Sequence, residues 1–123
     1  MFSLKEIREL IDLVAERVEG TRAVSLIGTD GIAIDSYVSA EGLPMDSLAA
    51  ESGSLVKAAR AARALAEHGP IQQVTVASDR AASILCRVTE EYYLVLLLAR
   101  DGNFGRGRFE LRKAAAALEK ELL

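Results

Sequence analysis

The residue types that carry out chemistry are scarce in this sequence, and none is placed to work with another. The single cysteine, Cys86, lies in Ile84-Leu85-Cys86-Arg87-Val88. A thiol becomes a nucleophile beside a base or cation that holds it as thiolate, and these apolar neighbours instead read as a small core residue. The single histidine, His68, precedes Gly69-Pro70, where it would help satisfy the last carbonyls of a helix. One thiol and one imidazole cannot make an internal disulfide, a thiolate cage or a His-rich metal site. Carboxylates pair at Asp30/Asp35 and Glu90/Glu91, yet beside turn signals and without the partners a hydrolase needs. Asp79 and Asp101 also read as turn residues.

Two further features suggest anion chemistry. The run Gly102-Asn103-Phe104-Gly105-Arg106-Gly107-Arg108 could cradle a phosphate at a helix start. It has neither a Lys-Ser/Thr after its last glycine nor the G-x-G-x-x-G order, so it reads as a strand-to-helix turn. Arg100, Arg106, Arg108, Arg112 and Lys113 form a basic cluster, partly balanced by Asp101 and Glu110, and read as a solvated helix start. No catalytic residue, metal or cofactor is expected.

With chemistry set aside, composition bounds the class of protein but reveals no function. The 123 residues suit one domain over 1–123, large enough for one core. Half of them are hydrophobic and the net charge is −3, which argues against nucleic-acid binding. The start, Met1-Phe2-Ser3-Leu4-Lys5-Glu6, has no secretory pattern, and the longest apolar run, Leu94 to Ala99, is far short of the ~20 residues that span a bilayer. The expectation is a cytoplasmic protein without membrane partners.

Periodicity supplies the elements. Ser3 to Val18 is an amphipathic helix opened by a Ser3/Glu6 capping box, with Leu4, Ile7, Leu10, Ile11, Val14 and Val18 inward. Arg22–Gly28 and Ile32–Val38 are strands joined by Thr29-Asp30-Gly31, whose Asp-Gly suits a tight hairpin. In the second strand Ile32, Ile34, Ser36 and Val38 share one face, Ala33, Asp35 and Tyr37 the other, and it reads as an edge. Pro44 falls in the first turn of a helix running from about Met45 to Glu67, roughly 33 Å long at 1.5 Å per residue. Ile71–Ser78, Ala82–Val88 and Tyr92–Ala99 form an antiparallel meander, because their connections are too short for parallel crossovers. The last of these is apolar on both faces and should be central. A final helix from about Gly105 turns Leu111, Ala114, Ala115, Leu118 and Leu122 inward. The result is an α+β sandwich, α-β-β-α-β-β-β-α, around a five-stranded antiparallel sheet.

The long helix is rich in small residues on all sides: Ala49, Ala50, Ala58, Ala59, Ala61, Ala62, Ala64 and Ala66, with Ser52-Gly53-Ser54 in the middle. Through its central and final turns the only charges are Glu51, Lys57, Arg60, Arg63 and Glu67. A helix apolar on more than one face is buried on more than one face, which points to a contact between two copies of the chain.

These features resemble the roadblock / dynein light-chain family, and its bacterial MglB-like branch in particular, from about Leu4 to Leu122. The carriers are Glu19-Gly20-Thr21, Ala23-Val24-Ser25-Leu26-Ile27, Asp30-Gly31-Ile32-Ala33-Ile34, Leu48-Ala49-Ala50-Glu51, Gln73-Val74-Thr75-Val76, Tyr93-Leu94-Val95-Leu96 and Asn103-Phe104-Gly105-Arg106-Gly107-Arg108. The resemblance implies a roadblock/profilin-like fold, no enzymatic activity, and a homodimer in which the long helix and third strand meet their mates. Its seam would hold Leu55, Ala58, Ala59, Ala62, Leu65, Ala66, Gln73, Val74, Thr75 and Val76. It further implies binding of a small Ras-like GTPase, whose hydrolysis MglB-like members stimulate without an arginine finger. Lys57, Arg60 and Arg63 are the expected GTPase contacts. The sequence stops at Leu123 without the long C-terminal extension of some members, so no activity needing such a tail is carried over. A scaffold or adaptor of the same fold, or a small-molecule sensor, are the alternatives.

Overall fold

The computed structural model describes residues 3–39 and 43–122, with side chains as far as Lys120. The first helix, α1, is Leu4–Arg17. Ser3 caps it, its hydroxyl accepting from the Glu6 N–H at 3.2 Å. Ile7, Ile11, Val14 and Val18 are buried, whereas Leu4, expected inward, stays 69% exposed.

Strands β1 (Thr21–Gly28) and β2 (Ala33–Val38) follow as a hairpin. Only Gly31 of its turn takes a positive φ, +87°. The Gly31 N–H donates to Gly28 O and the Asp30 carboxylate accepts from the Ile32 N–H, so the connection is a three-residue loop with a left-handed glycine. A bulge opposite Leu26/Ile27 then corrects the predicted face assignment. Ala33 pairs with Ile27 and packs toward α2, while Tyr37 pairs with Val24 and packs toward α1 and α4. One inserted residue reverses the alternation.

The next helix is broken. α2 spans Met45–Ala61 and α3 Arg63–Ala66, separated by Ala62 with ψ 89°. Pro44 stands at the N-cap, one place before the first turn. The predicted unbroken helix to Glu67 fails: α3 buries none of its residues, so packing does not hold the helical path straight.

The meander is β3 (Gln73–Ala77), β4 (Ala81–Arg87) and β5 (Tyr92–Ala99), before α4 (Phe104–Leu122). All pairings are antiparallel, in the order β2-β1-β5-β4-β3. β5 is central, as its two apolar faces require. α1 and α4 cover one face of the sheet around Leu26, Ile84, Leu94, Leu96, Leu98, Leu111 and Leu118. α2 covers part of the other face over a smaller cluster: Ile27, Ala49, Val56, Leu85, Tyr93 and Val95. Each such Leu or Ile contributes about 1.5–3 kcal/mol by leaving water, so the α1/α4 side carries most of the stability. The expected inward Leu122 side chain lies outside the described residues.

Candidate functional site

Two edges bound the sheet, and they differ in how their backbone groups are used. Along β3, the Arg87 N–H donates to Gln72 O at 2.9 Å and the Ser78 N–H to Ala81 O at 2.8 Å. Antiparallel bonding alternates, so Val74 and Val76 bond to β4 while Gln73, Thr75 and Ala77 turn their N–H and C=O groups away from it. The five residues Gln73-Val74-Thr75-Val76-Ala77 carry no charge, and their register has no bulge. β2 is different. The Ser39 N–H donates to Arg22 O, which makes Ser36 an outward residue. Its N–H donates to the Asp35 carboxylate at 2.8 Å, and its carbonyl accepts from the Arg8 guanidinium. Arg8 and Asp35 also form an ion pair at 3.1 Å.

The α2 side adds an apolar surface next to β3. Leu55 and Val74 both pack on the smaller cluster, which brings that flank of α2 to β3. Glu51, Ser54, Leu55 and Ala58 line a shallow groove along it. Ala58 and Ala66 are exposed, Ala59 and Ala62 are half-buried, and Leu65 and Val76 are 61% and 42% exposed. Leu55, Val74 and the groove beside Ala58 thus share one flank, whereas Gln73 and Thr75 pair with Cys86 and Ile84 and turn their side chains to the face that α1 and α4 cover. Part of the small-residue signal has another cause. Ala49, Ser52 and Gly53 face their own sheet, and a Cβ on Gly53 would meet Gly31 Cα at 3.0 Å. The helix needs small residues there to cross the β1–β2 turn.

The three expected GTPase contacts differ in their surroundings. Lys57 and Arg63 are exposed, on α2 and α3. Arg60 lies 5.6 Å over the Tyr93 ring and donates to Glu90 O, which anchors α2 to the β4–β5 turn. Tyr93 is itself held by its hydroxyl, which donates to Ile71 O at 2.7 Å.

The remaining chemistry-bearing residues have structural work. Burial pushes the Cys86 thiol up to about 11, with Arg112 and Arg108 pulling the other way, so it stays a protonated core group. The backbone N–H of His68, rather than its ring, satisfies Leu65 O. Asn103 caps α4 by accepting from the Arg106 N–H, and a Cβ on Gly107 would meet Leu96 at 2.9 Å. Gly107 lets α4 sit close on the sheet, as a strand-to-helix turn requires. Arg100 donates to Asp79 O at 2.6 Å. Glu110, read from sequence only as a balancing charge, is 4% exposed and bridges Arg17 and Arg106, each at 3.4 Å. Its i,i+4 spacing from Arg106 was the available signal; the tie to Arg17 across helices was not visible. Among the described residues no cluster of His, Cys, Asp or Glu could hold a metal, and no helix is long and apolar enough to cross a membrane.

The sequence profile described as the Roadblock/LC7 domain matches residues 7–98. The chain belongs to the Roadblock/LC7 domain family. Among solved structures, this Roadblock/LC7 chain is 33% identical to MglC from Myxococcus xanthus, with TM-score 0.68 over 94% of this chain and 98% of that one. Myxococcus xanthus MglB aligns with TM-score 0.87 at 18% identity over 98% of each chain. An MglB in a tetrameric arrangement gives 0.87 at 20% identity over 98% of this chain and 91% of that one. Sequence is thus shared more with this MglC, and backbone geometry more with these MglB chains. No curated protein matches the sequence.

Proposed function

We propose that this Roadblock/LC7 domain is a non-catalytic homodimeric regulator that binds a small Ras-like GTPase in the cytoplasm and modulates its GTP hydrolysis or localisation. The observation carrying this reading is the β3 edge: outward backbone groups on Gln73, Thr75 and Ala77, uncharged and unbulged, beside the exposed apolar flank of α2 and α3. An edge of this kind invites pairing, and natural proteins cover or disrupt one that must stay alone. Two β3 strands related by a two-fold axis would join the sheets, with Leu55, Ala58, Ala59, Ala62, Leu65 and Ala66 closing over the join and Val74 and Val76 beneath. Family membership supports the GTPase as the partner of the dimer. With Arg60 held by Glu90 and Tyr93, Lys57 and Arg63 are left to meet it. They would act by ordering the GTPase's own groups around the transition-state charge.

The test is capture of GTPases by the immobilised chain in parallel with a GTP analogue and with GDP, followed by single-turnover hydrolysis with the GTPase recovered. Enrichment of a Ras-like GTPase in one nucleotide state, with a changed hydrolysis rate, supports the regulator. A dimer that retains no GTPase in either state sinks it and leaves an adaptor.

A further inference from the structure

We propose that the Arg8–Asp35 pair is a stop on sheet growth, blocking the β2 edge so that a second copy can add only at β3. This rests on the β3 reading above and extends it to the opposite edge. If β3 pairs with β3, the joined sheet ends in a β2 strand on each side. β2 is not polar enough to repel a copy: Ile34 and Val38 are 40% and 38% exposed, and Ile32 just before the strand is 64% exposed. β2-to-β2 pairing would then repeat without closing, and a chain with two sticky edges forms open filaments.

Three features stand against that. The bulge opposite Leu26/Ile27 distorts the near half of β2. Asp35 places a carboxylate on the strand and occupies the Ser36 N–H. Arg8 reaches over from α1, occupies the Ser36 carbonyl, and is steadied by Asp35 at 3.1 Å and by Asp12 at 3.5 Å. Ser36 offers the central outward pair of hydrogen-bonding groups on β2, and both are taken. A half-exposed ion pair contributes little to folding stability, so its purpose has to be sought in what it excludes.

The experiment compares wild type, Arg8→Ala/Asp35→Ala and Asp12→Ala by sedimentation velocity across a concentration series, with thioflavin fluorescence in parallel and circular dichroism to verify the fold. Wild type and Asp12→Ala should stop at twice the chain mass. The double variant should grow past it with concentration, to an average mass at least about twofold above wild type. Arg8→Ala alone, which keeps the Asp35 bond, should grow less. Adding Thr75→Pro to the double variant should halt growth at a pair joined through β2. A folded double variant that keeps the wild-type mass overturns the stop. A monomeric wild type overturns the β3 reading instead; pairing by the double variant would still uphold the stop, and a monomeric double variant would overturn it too.

Discussion

The two edge strands come from one sheet and have similar lengths, yet their chemistry is opposed. β2 carries a carboxylate, a bulge and a guanidinium brought over from α1. β3 carries Gln, Val, Thr, Val and Ala in unbroken register, with a half-exposed valine of its own and Leu55 of α2 packed on the same cluster as Val74. Hydropathy does not separate them, since β2 exposes more isoleucine than β3 does. What separates them is whether the outward N–H and C=O groups already have partners. The proposed interface is marked out by unspent backbone hydrogen bonds as much as by apolar area.

Thr75→Pro should break the contrast most strongly. It removes an outward N–H that bonds to nothing in its own sheet, so the chain should still fold while association weakens at least ~100-fold, about 3 kcal/mol, by sedimentation equilibrium. Alkaline pH probes β4, the strand that β3 pairs with inside the chain. Cys86 is opposite Gln73 in the ladder, and its thiol is raised from 9.0 to about 11. The folded chain therefore holds a proton that the unfolded chain has lost. The unfolding free energy from denaturant melts should fall as pH rises from about 9 to about 11, by up to on the order of 2 kcal/mol, and Cys86→Ala should remove that component of the slope. Ala58→Arg places a guanidinium on the exposed flank of α2; the dimer dissociation constant should rise at least ~10-fold with little change in melting temperature. An unchanged constant would move the seam off that flank. Glu110→Ala sharpens the comparison from the opposite side. Its partners Arg17 and Arg106 are 39% and 49% exposed and can return to water, so the loss should be about 1 kcal/mol of stability in urea melts, with the dimer constant unmoved.

Much of this fold was legible in the sequence. The Ser3/Glu6 box, the Asp-Gly turn and the doubly apolar Tyr92–Ala99 run each follow from local rules, and each element was found near its place. The family followed from the order of short motifs. What local rules could not show were consequences of contacts distant in sequence. The break at Ala62 lies in an alanine-rich stretch with no Gly or Pro to mark it, and the segment beyond it buries none of its residues. The β2 bulge turns Ala33 and Tyr37 to opposite faces against a clean alternation. Gly53 seemed to announce a second copy and instead meets Gly31 of its own chain. Arg60 was legible as a surface cation, while its grip on Glu90 and Tyr93 depends on a turn 30 residues away in sequence.

The central claim is that β3 is spent on a second copy of this chain and β2 is not. Amide hydrogen exchange resolved by residue, recorded over a dilution series, tests it most directly. The Thr75 amide, with Gln73 and Ala77, should exchange slowly where the chain has twice its own mass and speed up on dilution, while the Ser36 amide holds one rate throughout. A Thr75 amide that exchanges at the open-chain rate in the associated protein would contradict it.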